Sequence, residues 1–222
     1  MNFTSSEENY LKSVYHLQSG ADSVTTNALA QKLNTRPASV TDMMKKLDAK
    51  KLLNYTPYYG FHLTEQGKKA ALTIIRRHRL WEVFLAQKLG FEWNEVHSLA
   101  EELEHVSSKK LIDKLDAFLN YPDFDPHGDP IPDSRGRLKT DTKLTVDKLP
   151  LHQPATVSRV ANQSSEMLEL LAHKNIRIGT KLEVKKVFPF DNSYEVRLKP
   201  NLLITISEQL AKNLFVVYET EQ

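Results

Sequence analysis

The stretch HRLWEVFLAQKLGFEWNEVHSLAEELEH, from His78 to His105, limits what the chain can become more than any other. His78 and Glu82 stand four residues apart, as do His97 and Glu101, and Glu104 and His105 follow at the next turn. On a helix, spacings of three, four, seven and eight share one face. Two neighbouring helices would then each turn imidazole and carboxylate in one direction. That is how a chain with no cysteine builds a site for a borderline-to-hard divalent metal ion. The competing reading is a solvated face, the ordinary fate of Glu and His on an amphipathic helix. Two pairs coincide here with Glu104, interleaved with apolar Leu99, Leu103 and Val106, and at this level both readings stand.

The flanking sequence weighs between them. At 222 residues the chain can hold one or two domains, or three small ones, with ample core. Charged residues make up 26% and the formal net charge is +2, so any nucleic-acid argument must come from local charge. The absence of cysteine excludes disulfides, thiolate zinc sites and a cysteine nucleophile. The N-terminus carries Glu7 and Glu8 early and has no long apolar run, so it does not read as a signal peptide. No segment approaches the roughly 18 apolar residues of a membrane span, and a cytoplasmic protein is expected.

Residues Ser5 to Gln18 read as a helix with an apolar stripe of Tyr10, Leu11, Val14, Tyr15 and Leu17. Ser5 or Ser6 can cap it, and Gly20 stops it. Thr25 or Thr26 can cap a short second helix with Ala28, Leu29, Ala30 and Leu33 inward. Asn34 and Thr35 make a tight turn, and Pro37 opens a third helix with Val40, Met43, Met44 and Leu47 on its apolar side. Two short helices joined by a tight turn follow helix-turn-helix grammar. Six basic residues (Lys32, Arg36, Lys45, Lys46, Lys50 and Lys51) stand against two acidic ones (Asp42 and Asp48) in residues 32–51, as phosphate contact requires. Small polar Ser39 and Thr41 can approach bases. The DNA-binding candidates are Arg36, Pro37, Ala38, Ser39, Thr41, Asp42, Lys45 and Lys46. Of these, Arg36 to Thr41 would face bases, and the lysines would contact phosphate or remain solvated.

Leu52 to Tyr55 and Phe61 to Leu63 look like short strands around Pro57, Tyr58, Tyr59 and Gly60, a hairpin in the position of a wing. Helical pattern then runs from Thr64 to Leu89, where Gly90 ends it, and from Glu92 to Val106. Ser107 or Ser108 caps a further helix with Leu111, Leu115 and Phe118 inward. These three helices offer a dimer surface as well as a core. In residues 121–154, Pro122, Pro126, Pro130 and Pro132 prevent a helix, and a linker is expected, with a short strand at Leu144 to Val146. From Thr156 the apolar period becomes two, interrupted by a helix from Ser165 to His173, which reads as a small β-barrel or sandwich. The domain reading is 1–65 winged helix-turn-helix, 66–121 helical dimerisation and metal-binding domain, 122–153 linker and 154–222 β domain. The fold class is mainly α with a small β domain.

With PASVTDMMKKLD, HRLWE, VHSLAEELEH and DPHGDPIP in this order, the chain resembles the diphtheria-toxin-repressor family of metal-dependent transcriptional repressors, including its manganese transport regulator branch. The resemblance covers the full length and implies that the β domain is SH3-like, of the iron-transport-A (FeoA) type. It implies a primary metal site of Asn9, Glu101, Glu104 and His105, and an ancillary site of His78, Glu82 and His97. In the full-length members the β domain adds a Glu and a Gln; the matching residues are Gln163 and Glu166, in reversed order. Two metal sites per subunit are thus expected. Where iron-sensing members carry cysteine this chain has Glu101, which replaces a soft ligand with a hard one and favours Mn²⁺ over the alternative, Fe²⁺. Two departures stand out. Lys12 occupies the place of a second N-terminal glutamate of the manganese branch. Asp125 and Asp129 replace the serine and asparagine usual near Arg79, where some members bind an anion.

The resemblance further implies a homodimer that reads a roughly palindromic operator in double-stranded DNA, with no organic cofactor and no membrane partner, and regulated genes for metal uptake. The metal would be effector rather than catalyst. An enzyme is the rival class, as a metal hydrolase or di-iron oxidase. HExxH is absent, and in the metal-helix region Glu102 to His105 is the one E-x-x-H element where a ferritin-like site needs a pair. There is no glycine-rich phosphate loop and no nucleophile elbow. The other rival is a DNA-binding protein indifferent to metal.

Overall fold

The computed structural model describes residues 3–18, 23–56, 59–105, 108–139, 144–161 and 163–218. Gly20, Pro57, Tyr58, Val106 and Ser107 lie outside them. The chain forms two compact units. One holds residues 1–78, 101–115 and 132–138; the other holds 79–100, 116–131 and 139–222.

The first unit begins with helix α1 (Ser5–Gln18). Its cap is Thr4 rather than Ser5 or Ser6. Thr4 Oγ1 accepts from the Glu7 backbone N–H at 3.2 Å, and Glu7 Oε2 accepts from the Thr4 N–H at 3.1 Å, a reciprocal capping box that satisfies two otherwise orphaned donors. Helix α2 (Thr26–Lys32) is capped by Thr25, and Asn34 turns the chain with φ 47°. Helix α3 (Pro37–Ala49) starts on the proline, whose missing N–H has no intrahelical role there. Strands β1 (Leu53–Thr56) and β2 (Gly60–Leu63) pair antiparallel, and Val24 bridges to Phe61. Leu11, Val14, Leu29, Val40, Met44, Leu47, Leu52 and Phe61 are buried in one core that joins α1, both helices of the helix-turn-helix and the wing. The start of helix α4 (Glu65–Leu89) is locked to this core by Gly67, where any Cβ would meet the Leu52 carbonyl oxygen at 1.7 Å.

Helix α5 (Val96–Leu103) is shorter than the pattern from Glu92 predicts. Trp93 to Glu95 form a turn instead, in which the Glu95 carboxylate accepts from the Glu92 N–H at 2.9 Å. Helix α6 (Lys109–Phe118) is capped by Ser108, whose Oγ accepts from the Leu111 N–H.

The second unit holds an antiparallel sheet of five strands: β3 (Pro154–Val160), β4 (Lys181–Phe188), β5 (Ser193–Leu198), β6 (Leu202–Ile206) and β7 (Leu214–Tyr218). Their spatial order is β6-β5-β4-β3-β7. Helix α7 (Ser165–His173) is capped by Ser164. Helix α8 (Glu208–Asn213), capped by Ser207, sits inside a stretch that sequence periodicity leaves unassigned. Val157, Val184, Val196, Leu168, Leu171 and Val216 share one core. The expected strand at Leu144 to Val146 is a lone bridge from Thr145 to Phe215, followed by a 3₁₀ turn over Val146–Lys148. Residues 123–131 fold back on themselves, and Asp125, His127 and Ile131 are buried. Among the described residues, no helix is long and apolar enough to cross a membrane.

Candidate metal centre and nucleic-acid interface

Helix α3 presents its N-terminus outward. Arg36, Pro37, Ala38 and Ser39 are exposed, as are Asp42, Lys45 and Lys46 further along. Thr41 is half-buried, and its hydroxyl donates back to the Pro37 carbonyl at 3.1 Å. The basic residues are not all equivalent. Lys46 and Lys50 reach Glu7 Oε1 at 3.0 and 2.6 Å, while Glu7 itself is only 1% exposed. Burial alone would raise the Glu7 carboxyl, but Lys50, the Thr4 backbone and Lys46 together bring it down to about 2. Part of the basic surface of α3 is therefore spent on holding α3 to α1.

One turn along α1, a second charged cluster lies inside the first unit. Glu8 and Lys12 share a helix face four residues apart. Lys12 Nζ donates to both oxygens of Glu104, at 2.8 and 3.0 Å, and to Glu101 at 3.4 Å. Glu104 is fully buried, whereas the Glu101 side chain is half exposed. His78 Nδ1 lies 2.7 Å from the other face of the same carboxylate, at Glu104 Oε2. Burial would raise the Glu104 carboxyl; His78 and Lys12 overcome it and hold the group below its ordinary range. Glu8 accepts from Arg77 at 2.5 Å and pairs with His105 Nδ1 at 2.7 Å. Asn9 is half-buried beside Glu8, so the α1 residue that meets His105 is Glu8. Glu101, Glu104 and His105 of the expected primary site thus stand in one neighbourhood with a cation already among them.

The other cluster belongs to the second unit. Glu82, on α4, is 1% exposed. His97 Nδ1 on α5 stands 3.1 Å from Glu82 Oε1, and His127 Nδ1 faces that same oxygen at 3.8 Å. Glu82, Asp125 and His127 each offer a ligand atom, all within 4.8 Å of one another and all buried. The loop that supplies the last two is rigidly built. Asp125 Oδ1 accepts from the His127 and Asp129 backbone N–H groups at 2.8 and 3.0 Å. Gly128, at φ 85°, lets the loop approach β3 so closely that a Cβ would meet the Ser158 carbonyl oxygen at 1.9 Å. The Val160 N–H donates to the His127 carbonyl. His127 Nε2 lies 2.8 Å from the Trp93 carbonyl, which can only accept, so Nε2 carries hydrogen and Nδ1 points into the cluster.

Electrostatics set the protonation of this group. Burial, then Glu82 and Asp129, push the Asp125 carboxyl up to about 7. Burial works against the His127 cation, but Glu82 and Asp125 outweigh it and raise the imidazole. Protons therefore stand where a divalent cation would relieve the same negative charge. Asp129 lies to one side of the cluster. Its carboxylate takes Gln163 Nε2 at 2.8 Å, Arg79 at 3.4 Å and Arg159 at 3.5 Å, so an internal carboxylate occupies the basic neighbourhood of Arg79, one of the two departures noted in the sequence. Glu166 is exposed in the first turn of α7, and its carboxyl is lowered by its own backbone N–H and by Ser164 and Ser165.

The two clusters differ in fitness for a metal ion. Glu82, Asp125 and His127 offer two carboxylates and an imidazole whose far nitrogen is tied to a backbone carbonyl, the second contact that fixes a metal-binding histidine. That donor set suits Mn²⁺ or Fe²⁺. The Glu101–Glu104 pair does not fit as it stands. At an effective dielectric of 20, an ammonium and a dication 4 Å apart repel by roughly 8 kcal/mol, and Lys12 lies within hydrogen-bond distance of both Glu104 oxygens. Sequence reasoning missed His127 and Glu8. His127 is adjacent to proline and glycine in a stretch without periodicity, and Glu8 looks like a first-turn acid favourable to any helix.

A winged helix-turn-helix joined to buried carboxylate–imidazole clusters and a β domain defines a metal-responsive transcription factor. Three family models match the chain in order: the iron dependent repressor N-terminal DNA-binding domain over residues 2–61, the iron dependent repressor metal binding and dimerisation domain over 64–133, and the FeoA domain over 144–218. The HTH-type transcriptional regulator MntR of Oceanobacillus iheyensis is 36% identical over 118 residues, 53% of this chain and 80% of that protein. The iron-dependent repressor IdeR of Mycobacterium bovis is 32% identical over 125 residues, 56% of this chain and 54% of that one. Among solved structures, a manganese-dependent transcriptional repressor in complex with manganese superposes with TM-score 0.87 at 31% identity, covering 96% of this chain and 99% of the other. ScaR with bound Cd²⁺ gives 0.82 at 32%, with the same coverage. The chain belongs to the DtxR/MntR family of metal-dependent, DNA-binding transcriptional repressors, in its three-domain form. The members of this family are regulators and not enzymes.

Proposed function

We propose that the chain is a Mn²⁺-responsive repressor of metal-uptake genes, acting in the cytoplasm as a homodimer on a roughly palindromic operator, with Fe²⁺ as the alternative effector. The observation that carries the reading is the buried Glu82–Asp125–His127 group, with His97 on the same Glu82 oxygen. It is thiol-free, rich in oxygen and built on a loop in which the N–H groups of Asp125, His127, Gly128 and Asp129 are all hydrogen-bonded. The names of the similar structures, which speak of manganese, point the same way for those proteins. Bound there, the metal supplies positive charge that replaces the protons of Asp125 and His127.

The rest is done by the chain's own residues. Helix α4 is continuous from Glu65, next to wing strand β2, to Leu89, and carries Glu82. Loading Glu82 therefore acts on the helix that leads directly from the DNA-reading unit. Arg36 to Ser39 at the start of α3 read base edges in a major groove, one reader per half-site, and Lys45 contacts phosphate. Thr41, Asp42 and Lys46 complete that face. By linkage, DNA that prefers the metal-loaded state raises metal affinity by the same factor. Gln163 and Glu166 are not placed in this reading as ligands: Gln163 serves Asp129, and Glu166 is exposed in the first turn of α7, bonded to its own backbone N–H and to Ser164. The test is Mn²⁺ titration of the chain and its Glu82→Gln variant by calorimetry. A metal site lost in the variant supports the reading; equal binding by both refutes it.

A further inference from the structure

We infer that the cluster of Glu101, Glu104 and His105 is not a metal site in this chain, because the Lys12 ammonium permanently occupies the cation's position. The inference goes beyond the metal-responsive reading, since it concerns a different cluster and would stand if that reading failed.

The geometry is that of a filled cation site. Lys12 is 9% exposed, and its Nζ lies between Glu104 Oε1, Glu104 Oε2 and Glu101 Oε1. An ammonium has three hydrogens to donate and finds three carboxylate oxygens. One further acceptor direction of Glu104 is taken by His78 Nδ1 at 2.7 Å; His105 is paired with Glu8, itself bonded to Arg77, and turns Nε2 to 3.6 Å from Glu104 Oε1. A divalent ion entering here would have to displace the Lys12 ammonium from a carboxylate that is fully buried, and separating such a pair is costly. The stem of Lys12 is fixed by α1, which packs in the core through Leu11 and Val14.

The consequence is regulatory. In a site bridged by metal, α1 would be tied to the end of α5 only when metal is present. Here the bridging cation is a side chain of the protein itself, and the tie forms without metal. Metal control then rests on the Glu82 cluster alone, with one ion per chain rather than two.

The experiment counts bound manganese on the full-length chain, by elemental analysis after equilibration with Mn²⁺ and removal of free ion. The native chain should hold one ion, lost in Glu82→Gln and kept in Glu104→Gln and Glu101→Gln. Lys12→Met should gain an ion that the native chain does not bind, and its thermal midpoint should rise with added Mn²⁺ more than that of the native chain. Two ions on the native chain, one of them lost in Glu104→Gln, would overturn the inference. So would a folded Lys12→Met chain that gains none. If Lys12→Met fails to fold, the Glu101→Gln and Glu104→Gln counts decide alone. A native chain that binds no manganese contradicts the Glu82 reading but leaves Lys12 to be judged by the gain in Lys12→Met.

Discussion

Lys12 and Glu104, 92 positions apart in the chain, form a buried ion pair in which one ammonium bonds both oxygens of one carboxylate at 2.8 and 3.0 Å. Breaking such a pair from one side leaves an uncompensated charge in the interior. Lys12→Met is expected to lower stability in metal-free buffer by about 3 kcal/mol, measured by urea unfolding. Replacing both partners together, Lys12→Met with Glu104→Gln, should cost distinctly less. A double variant as unstable as the single one would contradict the pairing.

Asp125 gives the metal response a pH dependence. Its carboxyl is raised from 3.8 to about 7, so between those values the folded chain keeps a proton that the unfolded chain has released. Stability of the metal-free chain therefore falls as pH rises through that window. A bound ion needs the Asp125 carboxylate deprotonated, which adds up to about tenfold in Mn²⁺ affinity per pH unit below pH 7, and the raised His127 imidazole must release its proton as well, which steepens the rise. Calorimetric titrations at pH 6, 7 and 8 check this. A flat profile, or one unchanged in Asp125→Asn, would contradict it.

Glu7 acts in the opposite sense. Its carboxyl is held at about 2 in the folded chain against an ordinary 4.5. The stability it contributes is complete above pH 4.5 and disappears as pH falls toward 2. Lys46 and Lys50 are partly exposed, so screening reduces the effect to the order of 1–2 kcal/mol. Glu7→Gln should flatten the acid limb of a stability–pH curve in that window and leave metal uptake unchanged.

The pairing of Lys46 with Glu7 separates two lysines that look alike in the sequence. Lys45→Ala should reduce the salt dependence of DNA binding by about one counterion, and Lys46→Ala by less. Arg36→Ala should weaken specific binding by roughly 1–3 kcal/mol. Anisotropy titrations at three salt concentrations give both quantities.

Much of the fold is legible in the sequence where one signal is local and repeated. Helix α1 spans Ser5–Gln18 and α7 spans Ser165–His173, as read from the sequence, and α3 begins at Pro37 as expected. Where a local alternative competes, the boundaries move: Glu95 caps a turn and delays α5 to Val96, and Thr4 takes the cap expected of Ser5 or Ser6. Helix α8 has six residues, too few to show a period against the strands around it. The metal-binding candidates were legible in part. His78, Glu82, His97, Glu101 and Glu104 announce themselves by helical spacing, but spacing does not say which oxygen meets which nitrogen. Asp125 and His127 become site residues because a proline-rich stretch folds inward around an Asp side chain and Gly128, and prolines exclude a helix without excluding burial. The role of Lys12 depends on a partner 92 residues away, which no periodicity reports.

Control of DNA binding by metal at the Glu82 cluster is read from one anisotropy titration. The probe is a duplex selected from a random pool by the Mn²⁺-loaded chain, bound with and without Mn²⁺ by the native chain and by Glu82→Gln. A coupling of 1–3 kcal/mol predicts binding about 5- to 150-fold tighter with metal for the native chain and no metal effect for the variant. Equal affinity with and without Mn²⁺, or a full metal response that survives Glu82→Gln, would contradict it.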